Sequence, residues 1–297
     1  MRWYFGIDEG GAAGAQAEHA RLAVLSAKLV GGLEPRMLYL GARNDFTRWM
    51  ERQDVKVIEA EPPALDAMNA AEAAGRFRAH SLGHWLRLAI PAIDREAEYA
   101  LYTDCDVVFR RRPEFSGLKP KVFAAAPEFA PDEWNYFNSG VMLMNLAAMR
   151  ATQAALEAEL RERLAGDDAA RCDDQIVLNE AYRGHWDRLA PKFNWKPYWP
   201  FNSQASILHF HGPKLAVIEA IAGGAWHDGN ETARTMTALL DGHLPHYLAW
   251  LTDLGDQMQL IDPAMAVRLQ RIAAALAQHA PPSPQNLGFM RFRMFAA

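Results

Sequence analysis

Apolar positions recur along this chain in two rhythms. Short runs of strand character fall at residues 3–7, 37–40, 55–58, 99–103, 122–126, 137–145 and 206–210. Between them, apolar residues take helical spacing. In 15–29 the stripe is Leu22, Val24, Leu25 and Leu29, and 64–93 reads as mostly helical. Residues 146–164, rich in Ala, Glu, Leu and Arg, predict a clean helix, and 173–182 another. Strands alternating with helices predict parallel pairing and an α/β sheet. Beyond Leu215 the strand signals stop, and helical segments follow at 216–221, 231–240, 244–254 and 263–278. Pro281, Pro282 and Pro284 then mark a linker-like stretch, followed by a short basic and apolar patch at 290–295. The pattern predicts a core over residues 1–215 and a helical C-terminal extension over 216–297 packed on it.

Composition narrows the reading. The 297 residues suffice for one large α/β domain, and 50% apolar with 23% charged residues is a globular balance. A net charge of −5 leaves no basic footprint, so no nucleic-acid partner is expected. With two cysteines, Cys105 and Cys172, a disulfide framework is absent. Each adjoins an acidic motif and reads as a small buried residue. Residues 1–8 are too short and too quickly acidic for a signal peptide. No apolar run reaches the ~18 residues that span a bilayer. A cytoplasmic location follows, with 290–295 as a candidate weak contact to the inner face of the membrane.

The first candidate chemistry is the pair Asp104 and Asp106, after the apolar run 99–103 and before Val107-Val108-Phe109. On a strand, residues i and i+2 share a face. Two such carboxylates repel unless a positive group or water stands between them. A hard divalent ion, Mg²⁺ or Mn²⁺, suits oxygen ligands of this kind. The glycines within 9–14 lack the dinucleotide-binding spacing, so no nicotinamide cofactor is expected. Asn138-Ser139-Gly140 interrupts a predicted strand, a place where backbone can approach a ligand closely.

Five segments occur in order: Arg87-Leu88-Ala89-Ile90-Pro91, Tyr102-Thr103-Asp104-Cys105-Asp106-Val107, Phe137-Asn138-Ser139-Gly140-Val141-Met142-Leu143-Met144-Asn145, Asp174-Gln175-Ile176-Val177-Leu178-Asn179, and His209-Phe210-His211-Gly212-Pro213-Lys214. In order and spacing they resemble glycosyltransferase family 8, over residues 1–215. The resemblance implies a GT-A type nucleotide-sugar-binding fold, with a mixed, mainly parallel sheet flanked by helices. It implies a uridine diphosphate (UDP) sugar donor, a divalent metal, usually Mn²⁺, and hexosyl transfer with retention of configuration. Asp104 and Asp106 match the family's metal-binding aspartates, and His209 its third ligand. Asn138 and Asp174 match positions that hold the donor sugar, and Gln175 the residue under the anomeric carbon. Lys214 matches the lysine on the diphosphate and Arg87 an arginine near the donor. Asp8 falls where the first strand meets the base. Two departures stand out: Ile176 replaces an acidic residue, and the stretch from His209 to Lys214 is one residue short, with Leu215 where proline is common.

A double displacement needs a nucleophile opposite the leaving group. Gln175 is a neutral amide and a poor one, and Asp174 is expected to hold sugar hydroxyls. Front-face attack is therefore expected, the acceptor hydroxyl giving its proton to a departing phosphate oxygen. The acceptor expected is a saccharide or glycolipid, with Trp195, Tyr198 and Trp199 as candidate stacking residues. His211 is a weaker candidate metal ligand. Two other functions are compatible with the same residues: a nucleotide-sugar hydrolase, and a non-catalytic nucleotide-sugar-binding protein.

Overall fold

The structure, a computed structural model, describes residues 1–77 and 82–279. The patch at 290–295 lies outside the described residues. The first half of the chain runs β1 (Arg2–Asp8), α1 (Glu9–Ala13), α2 (Gln16–Val30), β2 (Glu34–Leu40), α3 (Asp45–Arg52), β3 (Lys56–Glu59), α4 (Leu65–Ala73), a 3₁₀ turn (His84–Ala89), α5 (Ile90–Ile93), β4 (Tyr99–Thr103), β5 (Val107–Phe109), β6 (Phe123–Pro127) and β7 (Phe137–Asn145). The second runs α6 (Leu146–Ala165), α7 (Asp174–Ala181), β8 (Asp187–Arg188), β9 (Ile207–His209), α8 (Leu215–Ala222), α9 (Glu231–Gly242), α10 (Leu244–Met258) and α11 (Pro263–Gln278).

Among these residues a seven-stranded sheet has the order β3-β2-β1-β4-β7-β6-β8. The pairs β1–β2, β2–β3, β1–β4 and β6–β8 are parallel, while β7 runs antiparallel to both β4 and β6. The expected mixed, mainly parallel sheet flanked by helices is thus observed. Apolar side chains from both faces of its strands fill two cores. One is built around Tyr4, Trp85, Tyr102, Phe123 and Leu160, the other around Trp3, Phe5, Val24, Met37 and Phe109. Strands buried on both faces read as continuous apolar runs, which is why 99–103 and 122–126 show so little alternation. A third core joins α8, α10 and α11 to Leu22, Val108, Leu208 and Phe210. Arg110 reinforces that junction, with Nε and Nη2 each 2.7 Å from a carboxylate oxygen of Asp253 and its guanidinium 4.7 Å from the Trp250 ring centre. No helix among the described residues is long and apolar enough to cross a membrane.

Three local readings change. Residues 9–13, expected as loop, wind into α1, because Asp8 accepts from Gly11 N at 2.7 Å and caps it. The 64–93 stretch is not one helix: α4 ends at Ala73, Gly75 takes φ +67°, and a 3₁₀ turn precedes α5. Asp104 and Asp106 do not share a face of one strand. They sit in the turn between β4 and β5, and β5 leaves the main sheet to pair antiparallel with β9, Val107 opposite His209. The pairing carries the acidic turn to the histidine.

Candidate active site

The bulge in β7 opens the site. Ala125 pairs with Met142 and Ala126 with Asn138, so Ser139, Gly140 and Val141 are skipped by β6. Such irregularities re-aim backbone groups. Here Gly140 O accepts from Asp104 N at 2.8 Å, and Ser139 N donates to Gln175 Oε1 at 2.8 Å. Gly140 must lack a side chain: an added Cβ would lie 2.3 Å from His209 Cε1 and 2.7 Å from Asp104 Oδ2.

Asp104, Asp106 and His209 converge. Nε2 of His209 lies 3.3 Å from Asp106 Oδ1 and 3.8 Å from Asp104 Oδ2. A chain of side-chain amides sets the ring's tautomer. Gly140 N (3.0 Å) and Asn194 Nδ2 (2.8 Å) both donate to Asn138 Oδ1, which turns Asn194 Oδ1 toward His209 Nδ1 at 2.9 Å. Nδ1 therefore carries the proton, and in the neutral ring Nε2 presents a lone pair to two carboxylates. Three lone-pair donors aimed at one another leave a place for a cation, and two oxygens with one imidazole nitrogen suit Mn²⁺ or Mg²⁺. On this ground the three residues fit a divalent ion.

Other charges stabilise the carboxylates. Arg87 is 2% exposed. Its Nη2 donates to Asp104 Oδ1 at 2.9 Å, Nη1 donates to Ser139 O, and the guanidinium lies 4.5 Å from the Tyr102 ring centre. The Tyr102 hydroxyl donates to the same Asp104 oxygen at 2.8 Å. Burial works to raise Asp104, but the Arg87 charge and this hydroxyl hold it below the ordinary carboxylate range. Burial also works to raise Asp106, yet the Lys214 charge holds it well below that range. Lys214 Nζ contacts Asp106 Oδ2 directly and donates to Phe210 O at 2.7 Å.

Asp174 and Gln175 open α7 beside this cluster. Asp174 Oδ2 lies 2.8 Å from Arg87 Nε but receives no hydrogen bond from it, since that N–H is directed to His84 O at 2.9 Å. Burial, opposed in part by Arg87, pushes Asp174 up to about 6, and burial together with the Asp174 charge does the same to Asp173. His84, Asp173 and Asp174 also bring ligand atoms close together. Arg87 already supplies positive charge there, so this trio is the poorer metal candidate.

Three buried groups escaped the sequence reading. Glu128 accepts from Asn138 Nδ2 at 2.7 Å and Gln175 Nε2 at 3.2 Å, and faces His211 Nε2 at 3.1 Å. His211 thus pairs with Glu128 rather than with the acidic turn. Asn194 orients His209. Lys196 is fully buried, donates to Pro127 O at 2.6 Å and lies 4.3 Å from the Trp199 ring centre. None belongs to a motif; their only signal was polarity inside apolar or aromatic stretches. The residues expected to stack an acceptor are engaged with one another, Trp195 on Trp199 at 5.2 Å and Tyr198 on Trp199 at 6.4 Å.

Burial depresses Lys196 to about 7, with Glu128 opposing. The sign follows from proton counting. Between about pH 7 and ~10 the unfolded lysine holds a proton that the native one has released, so stability from this group rises with pH. Over pH 6.5–9 the Tm of the wild type should climb relative to that of Lys196→Met. The buried thiols of Cys105 and Cys172, raised by burial, act oppositely over the same range and cancel in that comparison. Parallel curves of Tm against pH would refute the assignment.

Two grooves meet at this site. One, of about 550 Å³, is lined by Asp8, Glu9, Gly11, Leu40, Glu72 and Leu82 among others. Asp8 lies on its wall, with Oδ2 accepting from Leu82 N at 2.7 Å and Gly83 N at 3.1 Å. The second, of about 170 Å³, is lined by His19, His84, Asp104, Asp106 and Lys214. Ala15 and Gln16 line both.

Sheet order, acidic turn and groove together define a GT-A architecture. The chain belongs to glycosyl transferase family 8, whose sequence model matches residues 45–214. A probable glycosyl transferase, Gly, of Streptococcus gordonii is 28% identical over 162 residues, 51% of this chain and 23% of that protein. Glycogenin of Neurospora crassa is 34% identical over 124 residues, 38% of this chain and 16% of that protein. The matches therefore span less than a quarter of these relatives' lengths. Among solved structures, the galactosyltransferase LgtC in complex with donor and acceptor sugar analogues superposes with a TM-score of 0.55 at 19% identity, covering 82% of this chain and 96% of that one.

Proposed function

We propose that the protein transfers a hexose from a UDP-sugar to an acceptor hydroxyl with retention of configuration. The observation that carries the reading is the convergence of Asp104, Asp106 and the Nε2 lone pair of His209 beside two adjoining grooves of about 170 and 550 Å³. Residues 1–215 would form the catalytic core and the C-terminal helices a supporting extension. The base and ribose would occupy the wider groove along Asp8, and the diphosphate would pass Ala15 and Gln16 into the inner one. Mn²⁺ or Mg²⁺ held by Asp104, Asp106 and His209 would neutralise charge growing on the leaving diphosphate. Lys214 would add a point charge on the same oxygens.

The sugar would lie between Asp174 and Asn138. The Asp174 carboxylate has acceptor capacity to spare for hydroxyls, while Arg87 keeps it charged and in place. Gln175 is a fixed neutral amide, its oxygen held by Ser139 N and its nitrogen by Glu128. That supports front-face attack, because the residue matched to the position under the anomeric carbon is an amide and not a carboxylate. The acceptor hydroxyl would approach on the leaving-group side and pass its proton to a phosphate oxygen. The acceptor would be a saccharide or glycolipid.

The test is to incubate the protein with UDP-glucose or UDP-galactose and Mn²⁺, with and without saccharide acceptors, and follow both UDP and free sugar. Acceptor-dependent UDP release with an α-linked product from the α-donor is expected. Equal amounts of UDP and free hexose, independent of acceptor, would replace transfer by hydrolysis. Absence of turnover on every donor would overturn the reading.

A further inference from the structure

His19 stands on the first turns of α2, is 3% exposed, and lines the inner groove with Asp106 and Lys214. Its Nε2 is buried and has no hydrogen-bond partner among the described residues. An orphaned buried polar atom is costly to keep, and one whose residue lines a groove is open to a ligand that satisfies it. The charges that act on the ring belong to Asp106 and Lys214, the two groups at the expected diphosphate position, and the Phe210 ring packs 6.1 Å away.

The surroundings select the ligand's charge. The N-terminus of α2, fifteen residues long, has no side-chain cap at Ala15, and Ala15 and Gln16 line the same groove. Ala17 N of that first turn donates to Gly14 O at 3.2 Å, and the partial positive charge of the helix N-terminus favours an anion. Glu18, the acidic residue of the turn, is held by Arg268. Burial drives His19 down to about 4, so at neutral pH the ring is uncharged and offers one N–H. A neutral donor, a helix N-terminus and a lysine around one cavity match phosphoryl oxygens.

We infer that His19 is a donor-binding residue whose imidazole N–H donates to a phosphoryl oxygen of a nucleoside diphosphate lying between the α2 N-terminus and Lys214. This rests on the donor site proposed above. It adds a contact from the N-terminal helix to a diphosphate otherwise held from the acidic turn and the β9 side. The nucleoside is not touched by the ring, so the contribution is confined to ligands that carry phosphate.

Calorimetric titration of the whole protein with UDP, inorganic pyrophosphate and uridine, each with Mn²⁺, tests this. His19→Phe fills the space and removes the donor. It is expected to weaken UDP and pyrophosphate by about tenfold, the size of one hydrogen bond to a charged partner, and to leave uridine unchanged. His19→Gln, which keeps an N–H, should recover part of the loss. If the phenylalanine variant does not fold, His19→Gln and His19→Met, similar in volume and differing in the donor, are read the same way. Unchanged pyrophosphate affinity, equal weakening of uridine, or a glutamine variant no better than its apolar counterpart overturns the inference. A wild type that binds UDP and pyrophosphate, beside a variant that matches it, sinks the His19 contact alone. A wild type that binds neither sinks the donor site with it.

Discussion

Replacing Asp106 with asparagine is expected to lower sugar transfer by about two to three orders of magnitude. The substitution keeps the shape of the side chain and removes its charge. Two roles end at once: one oxygen faces His209 Nε2 at 3.3 Å, where a cation would bind, and the other holds Lys214. In the proposed reaction both roles would act on charge that grows on the leaving diphosphate, so the loss would fall on the transition state more than on ground-state binding. A well-aimed electrostatic contact of this kind contributes ~3–4 kcal/mol, and each factor of ten in rate needs ~1.4 kcal/mol. Initial rates across a Mn²⁺ titration provide the measurement, with kcat falling and the Mn²⁺ requirement shifting upward. Asp104→Asn should behave similarly, because its Oδ2 faces the same imidazole nitrogen. Near-normal transfer by Asp106→Asn with divalent ions chelated would eliminate the proposed mechanism.

The largest stability effect is expected at Arg87. Asp104 and Asp174 both lean on this one buried cation, at 2.9 and 2.8 Å. Removing one partner of a buried ion pair leaves an uncompensated charge and typically costs ~3–5 kcal/mol. Arg87→Met should fall in that range in guanidinium unfolding at pH 8. The penalty should be pH-dependent in a defined direction. Asp174 is already raised to about 6, and without Arg87 it rises further. A carboxyl whose folded value lies above its unfolded value of ~3.9 keeps its proton longer in the native state, so stability is present at low pH and lost as pH rises through that window. Arg87→Met should therefore be closest to wild type near pH 5 and furthest from it at pH 8. Adding Asp174→Asn should restore part of the loss, since the stranded charge is gone. A single variant as stable as wild type at pH 8, or a double variant no better than the single one, would show that Arg87 does not compensate these carboxylates.

The two substitutions separate a residue that would touch the reaction from one that arranges it. Arg87 was matched in sequence to an arginine near the donor. In the structure its guanidinium is sealed among Asp104, Asp174, Ser139 O and Tyr102. Its sequence neighbours gave no hint of that burial, since a 3₁₀ turn presents residues differently from the helix expected there. Lys214 shows the reverse. One side chain was expected on the diphosphate, and the structure sets it on Asp106, in the lining of the inner groove.

Most of the order of strands and helices, the apolar strand interiors and the acidic pair after residue 103 lay within reach of the chain read by itself; the turn that holds the pair did not. Periodicity and charge are local properties, set by a few neighbouring residues and little altered by folding. The motif segments were legible for the same reason, each being short and contiguous. What only the tertiary structure decided is which polar groups meet. Lys214 contacts Asp106 across 108 positions, and β5 had to leave the main sheet to bring His209 opposite Val107. Glu128, Asn194 and His19 carry no local signature, because a buried polar side chain is identified by what surrounds it in space. The tautomer of His209 follows from an amide chain running through Asn138 and Asn194, and the space at Gly140 from a bulge in β7. Those features depend on strand register and on the closure of long loops, and neither is encoded within a short window of sequence.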